Sequence, residues 1–162
     1  EFLVKIMKVD DLGASFNGKV TYHDSCAGLR ECKIKTEPRS LLNNVKGLEL
    51  VEMEHTDTCC GFGGSFAMKY GNVSAAIVDE KIHNIQATQA QAVVLGDLGC
   101  MLNIEGRLRR LGDDRTQVLH VAQVLAGRSG RCACRARVPD MASRMAIGQR
   151  STACGRSPFW RC

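Results

Sequence analysis

No run of about 18 apolar residues occurs in the 162-residue chain, so no transmembrane helix is predicted. The opening residues Glu1-Phe2-Leu3-Val4-Lys5 lack the layout of a signal peptide. They read as the interior of a helix without an initiating Met, and an amino-terminal truncation is expected. The Cys-x-x-Cys pair is absent as well. Its absence argues against a thiol–disulfide enzyme, which carries that pair where a helix opens. It also argues against the usual zinc site, which is built from such close pairs. No set of acid, base or nucleophile for carbon chemistry is evident.

Lysine is missing from residues 128–162, which hold eight arginines and one aspartate. The tail starts Gly127-Arg128-Ser129-Gly130-Arg131-Cys132-Ala133-Cys134-Arg135 and shows neither a helical nor a strand period. An arginine-only arm for nucleic acid is one reading of it. Crowded Arg, Ala, Gly, Cys and Ser without Lys instead resemble GC-rich DNA translated in the wrong frame, or a disordered tail. No nucleic-acid partner is expected. Cys132, Cys134 and Cys154 are weak metal candidates.

The net charge of +5 belongs to that tail, because residues 1–127 hold 14 Lys+Arg against 16 Asp+Glu. A single domain over residues 1–127 is expected, with a core large enough to fold without disulfides. Five of the nine cysteines lie in it. The reading is cytoplasmic, where thiols stay reduced and free to bind metal.

The most telling segment is Cys59-Cys60-Gly61-Phe62-Gly63-Gly64. Adjacent thiols bond to each other only through a strained ring, whereas both can reach one multi-iron cluster. Gly61, Gly63 and Gly64 permit positive φ and close backbone approach, so the loop can wrap a bulky inorganic group. Its amides can then point at cluster sulfurs. Cys26 precedes this pair and Cys100 follows it, each at the end of an apolar run. Cys26, Cys59, Cys60 and Cys100 together match the four thiolates of an iron–sulfur cluster.

The hydrophobic pattern places the motifs. Residues 1–11 read as the end of an amphipathic helix with Phe2, Leu3, Ile6 and Met7 on one side. A turn over 13–18 leads into a strand at 19–24, and a short helix follows Cys26. Pro38 suits the first turn of a helix over 39–45 that Gly47 ends. A strand at 48–53 precedes the cysteine pair, and Ser65 to Lys69 begins a helix. Asn72-Val73-Ser74 caps the longest helix, about 75–89. Ala92-Val93-Val94-Leu95-Gly96 reads as a central parallel strand covered on both faces. A helix over 101–111, a strand at 117–120 and a closing helix to 126 complete an α/β domain with a small parallel sheet. Ligands of such sheets gather at the carboxyl ends of strands, where Cys26, the 59–60 pair and Cys100 all fall.

Four segments in order, Tyr22-His23-Asp24-Ser25-Cys26, Pro38-Arg39-Ser40-Leu41-Leu42, the Cys59 to Gly64 run and Gly99-Cys100-Met101-Leu102-Asn103-Ile104, carry a resemblance. The chain resembles the cysteine-rich CCG domain family over about residues 1–127, with its closest likeness to the lactate-utilisation branch. Other branches serve glycolate oxidases and heterodisulfide reductases. Members usually carry two such repeats, and this chain looks like the second alone. The heterodisulfide reductase branch ends its motif in Cys-x-x-Cys, where this chain has Asn103. Four candidate ligands therefore stand where that branch has five, which implies a conventional 4Fe-4S cubane. The resemblance implies an electron-transfer component of a lactate-oxidising complex, an oxidoreductase subunit and not a stand-alone catalyst. It also implies companion subunits, including a second iron–sulfur protein. Two other roles compete with this one: a structural zinc- or metal-binding interaction domain, or the iron–sulfur subunit of a glycolate oxidase or heterodisulfide reductase-like complex.

Purely structural roles are open to the same residues. Free cysteines also pack as small apolar residues, but that explains neither the glycine run nor the placement after strands. Cys32 lies in a short helix and reads as incidental. His23 is a candidate ligand or proton carrier, though a histidine at a strand end more often bonds its neighbours. Asp24 either orients His23 or caps the next helix, and capping is the expectation. Arg30 and Arg39 either offset cluster charge or are solvated. His55, His83 and His120 carry no pattern. The Glu105–Arg109 spacing suits a surface ion pair on a helix.

Overall fold

The computed structural model describes residues 2–127. The arginine-rich tail and its cysteines lie outside the described residues. Four strands form one all-parallel sheet: β1 (Ser15–His23), β2 (Lys46–Leu50), β3 (Ala92–Leu95) and β4 (Gln117–His120), in the order β2-β1-β3-β4. Five helices connect and flank them: α1 (Glu37–Asn43), α2 (Ser65–Lys69), α3 (Gly71–Ala87), α4 (Leu98–Arg110) and α5 (Val121–Leu125). Two π-helical turns, Phe2–Ile6 and Ala27–Glu31, add to these. The α/β class expected from the alternating pattern is the class observed.

The continuous apolar run at β3 sets the layering. Ala92, Val93, Val94 and Leu95 all have 0% of their surface exposed. Successive residues of a strand point to opposite faces. Val93 and Leu95 accordingly enter one core with Val78 and Ile82 of α3 and Ile104 of α4. Ala92 and Val94 enter the other with Phe16, Val20, Leu42 of α1 and Val124 of α5. A strand that is apolar on both faces thus requires helices on both sides, and the chain supplies α3 and α4 on one, α1 and α5 on the other.

The order of strands creates a crevice. From β1 the chain passes outward to β2, then returns across β1 to β3. The connections on either side of the β1–β3 pair run in opposite directions. At the carboxyl ends of such a pair the chain leaves β1 for the face of α1 and β3 for the face of α4, and ligands of open α/β sheets bind in the crevice so formed. His23 and Leu95 face each other in the last register of the pair.

Element ends differ from the pattern in places. β1 begins at Ser15 and not after Gly18, because its first residues pair with Lys46 through an irregularity in register between Ser15 and Gly18. α3 begins at Gly71, so Asn72 and Ser74 lie inside it and Tyr70 is its cap residue. Gly47 does not end α1, which stops at Asn43; it sits in β2 at φ +79°, where a Cβ would collide with Asn17 Oδ1. The amino-terminal amphipathic segment is a π-helical turn whose Phe2 and Ile6 are exposed.

That turn is tied to α1 by charge. Lys5 Nζ lies 2.8 Å from the buried Glu37 carboxylate, which also accepts the Lys35 amide at 3.1 Å. The Lys5 contact, with backbone amides, holds the Glu37 carboxyl down at about 2 against its burial. A depressed carboxyl stabilises the fold above its ordinary pKa of 4.5, and the contribution is lost as the pH falls toward 2. Glu37→Gln is expected to lower the urea midpoint at neutral pH, with the gap to the parent closing between pH 4.5 and 2. A gap that stays constant over that window contradicts the ion pair.

Candidate metal centre

Three donors meet at the carboxyl end of β1. His23 is the last residue of that strand, Cys60 comes from the long 51–64 connection, and Cys100 lies in the first turn of α4. Their ligand atoms all lie within 4.8 Å of one another and all three residues are buried. The Cys60 and Cys100 sulfurs are 2.9 Å apart. That is far beyond the roughly 2.05 Å of a disulfide, and both are free thiols.

The surrounding backbone fixes each donor. Asp97 caps α4 by accepting the Cys100 amide at 2.9 Å, which locks the first turn of the helix. Asn103, one turn further on, donates to the Cys60 carbonyl at 2.7 Å and ties the cysteine loop to α4. The position that departs from Cys-x-x-Cys therefore holds the loop by a hydrogen bond. Gly61 has φ +77°, and a Cβ there would stand 2.7 Å from the Ser74 carbonyl. The Ser74 hydroxyl in turn donates to the Gly61 carbonyl at 2.7 Å, so loop and α3 are in direct contact. The Gly61 amide points at the Cys59 sulfur, 3.3 Å away. Gly63 (φ +50°) and Gly64 (φ +57°) turn the chain into α2, and Gly64 is its cap residue.

Electrostatics separate the two buried thiols. The hydrogen bond from Cys100 lowers the Cys60 pKa against its burial, with help from the nearby His23 ring. The proton shared between the two sulfurs raises the Cys100 pKa, and burial and the neighbouring Cys60 charge raise it further. The pair loses its first proton readily and holds the second. Thiolate and imidazole are soft and borderline donors, suited to zinc, copper and iron–sulfur centres.

Cys26 and Cys59 are exposed and stand outside this three-donor group. They border it: the charge of Cys26 reaches Cys100, and that of Cys59 reaches Lys81. Cys32 is exposed at the end of a π-helical turn. Arg30 is exposed.

Asp24 caps no helix. Its buried carboxylate accepts both Arg39 terminal nitrogens, at 2.9 and 2.8 Å. Burial alone would raise its pKa; the Arg39 hydrogen bonds outweigh it and the pKa falls. Arg39 also binds Glu52 at 2.6 and 3.0 Å, and its guanidinium lies 5.1 Å over the Tyr22 ring. It is a clamp between β1, α1 and the segment after β2. His120 caps α5 by accepting the Ala122 amide. Glu105 and Arg109 form the expected i,i+4 pair at 2.6 Å.

Lys81 escaped the sequence reading. It is fully buried on α3 and donates to the His55 and Thr56 carbonyls at 2.6 and 3.2 Å. Burial lowers its pKa, and the negative charges of Asp57 and Cys60 oppose that shift. The signal was present: Lys81 interrupts the apolar stripe formed by Val78, Ile82 and Ile85.

Gly61→Ala tests how tightly the loop is held. It forces both a left-handed backbone and a contact with Ser74, whereas Gly112 (φ +74°) opens onto free space. Gly112→Ala is expected to cost about 1 kcal/mol and Gly61→Ala about 2–3 kcal/mol more in chemical unfolding. Equal losses would show that the close approach is absent.

The comparisons with known proteins agree on one family. The cysteine-rich domain model of the CCG family matches residues 20–105, from within β1 to within α4. A lactate utilization protein A of Geobacillus kaustophilus is 47% identical over 129 residues, covering 80% of this chain and 54% of that protein. Those of Bacillus pumilus (48% over 128 residues, 79% and 53%) and Lysinibacillus sphaericus (44% over 125 residues, 77% and 54%) are similar in extent. The chain spans about half the length of these relatives. The matched span carries Cys26, Cys59, Cys60 and Cys100, and the chain belongs to the CCG cysteine-rich domain family.

Proposed function

We propose that this domain is an iron–sulfur electron-transfer component of a lactate-oxidising system. The observation that carries the reading is the convergence of Cys60, Cys100 and an unpartnered His23 in the crevice between β1 and β3. The lactate pathway is taken from the name of the relatives.

A bound 4Fe-4S cluster would supply one-electron transfer. Cys60 and Cys100 would be its buried ligands, with the exposed Cys26 and Cys59 as the remaining candidates. Burial of the inner pair keeps water from the site. Lys81 sets a cation close to the thiolates and offsets part of their charge. Asp97 and Asn103 hold Cys100 and the Cys60 loop in place, the outer-shell role that orients ligands and tunes a centre. Other subunits, including a second iron–sulfur protein, deliver and accept the electrons. Residues 1–127 act as the second of two such repeats, in the reducing cytoplasm that keeps these thiols free.

A structural zinc site is the second reading, and the donor spacing favours it. Sulfurs about 2.3 Å from one tetrahedral ion lie roughly 3.8 Å apart, so the three buried donors would hold one ion once the 2.9 Å Cys60–Cys100 contact opens by about 1 Å.

Absorption of anaerobically purified protein separates the two. A broad band at about 400 nm is expected from sulfur-to-iron charge transfer. Cys60→Ser is expected to reduce it to background, while Cys32→Ser, at an exposed site outside the group, leaves it unchanged. A colourless protein carrying stoichiometric zinc overturns the electron-transfer reading.

A further inference from the structure

We propose that the His23 imidazole is itself a ligand of the metal centre, beside Cys60 and Cys100. The proposal rests on the reading that this site holds a metal centre.

Three observations carry it. His23 is 1% exposed, and neither ring nitrogen makes a hydrogen bond of good geometry among the described residues, although the ring stands close enough to the Cys60 sulfur to stabilise its thiolate. Buried polar groups are almost always partnered, and one that is not marks a missing partner. A ring nitrogen also lies within 4.8 Å of both buried sulfurs. Finally, the charged neighbours of this histidine are engaged elsewhere. Asp24, next to it in the chain, spends its carboxylate on Arg39. Lys81, the nearby buried cation, donates to backbone carbonyls. Ligation satisfies one of the two ring nitrogens with an electron-pair acceptor.

Position makes His23 a rigid donor. It ends a central strand and faces Leu95 across the β1–β3 pair, so its backbone is held on the sheet and not on a loop. A four-iron cubane takes four protein ligands, so the imidazole would stand in for one of the two exposed thiolates, Cys26 or Cys59, and leave the centre one unit less negative. Histidine ligation raises the reduction potential of iron–sulfur centres for that reason.

The test uses the full chain, purified without oxygen and reduced to a paramagnetic state. Pulsed electron paramagnetic resonance is expected to show the strong coupling of a directly bound imidazole nitrogen. Growth on heavy-nitrogen histidine should shift that coupling, and this arm needs no variant to fold. His23→Cys keeps a ligand, and is expected to retain the centre, lose the coupling and lower the midpoint potential. His55→Gln, at an exposed position, should change none of these. A cluster that forms without a bound nitrogen overturns the inference and leaves the iron–sulfur reading intact. A colourless zinc protein overturns the iron–sulfur reading instead. X-ray absorption at the zinc edge then decides on His23: imidazole scattering upholds the ligand, and sulfur-only ligation rejects it.

Discussion

The complete burial of β3 is the constraint on which the rest of the domain depends. Ala92 to Leu95 present apolar side chains to both faces of the sheet, with none of their surface in water. Burying such side chains contributes about 25 cal/mol for each Å² removed from water. Helices are therefore required on both faces, and the chain must cross the sheet to place them. That crossing sends β2 to one side of β1 and β3 to the other. The crevice at their carboxyl ends follows from the same requirement that stabilises the fold. His23, Cys60 and Cys100 gather in it.

The charges around the crevice form two layers with different roles. Arg39 sits between Asp24 and Glu52 and joins β1, α1 and the segment after β2 into one unit. It serves the frame. Lys81 lies deeper, and its partners are the carbonyls of His55 and Thr56, in the segment that leads to the cysteine pair. A buried ammonium is tolerated when hydrogen bonds and nearby negative charge offset its desolvation. Here the negative charge includes Cys60, which opposes the downward pull of burial on the Lys81 pKa. The 51–64 connection is anchored along its course: Glu52 to Arg39, the Thr56 carbonyl to the Asp24 amide, the His55 and Thr56 carbonyls to Lys81, the Gly61 carbonyl to Ser74 and the Cys60 carbonyl to Asn103.

Much of this was legible in the residues. The uninterrupted run at 92–95 announced a central parallel strand, and the alternation of strands and helices announced the class. The two-cysteine, glycine-rich run marked the loop whose Gly61 packs against α3. Asp24 was misread because its partner, Arg39, lies fifteen residues away and on another element; local spacing shows caps and not distant ion pairs. The strand at 48–53 was read too long, since Val51 makes its last sheet-like bond, to the Val20 carbonyl, before the chain leaves the sheet. As a ligand His23 is hard to read from the sequence, for a single histidine at a strand end has no periodic signature. Only the three-dimensional meeting with Cys60 and Cys100 gives it weight. The separation of buried Cys60 and Cys100 from exposed Cys26 and Cys59 was equally hidden: the pattern alone sets all four after strands, whereas Cys59 and Cys60 lie well beyond the end of β2 and Cys100 lies within α4.

Anomalous diffraction at the iron edge, from crystals grown without oxygen, tests the central claim most directly. The account predicts an iron peak in contact with the Cys60 and Cys100 sulfurs at the carboxyl end of β1. Two sulfurs free of metal there, in protein that carries iron elsewhere or none at all, would contradict it.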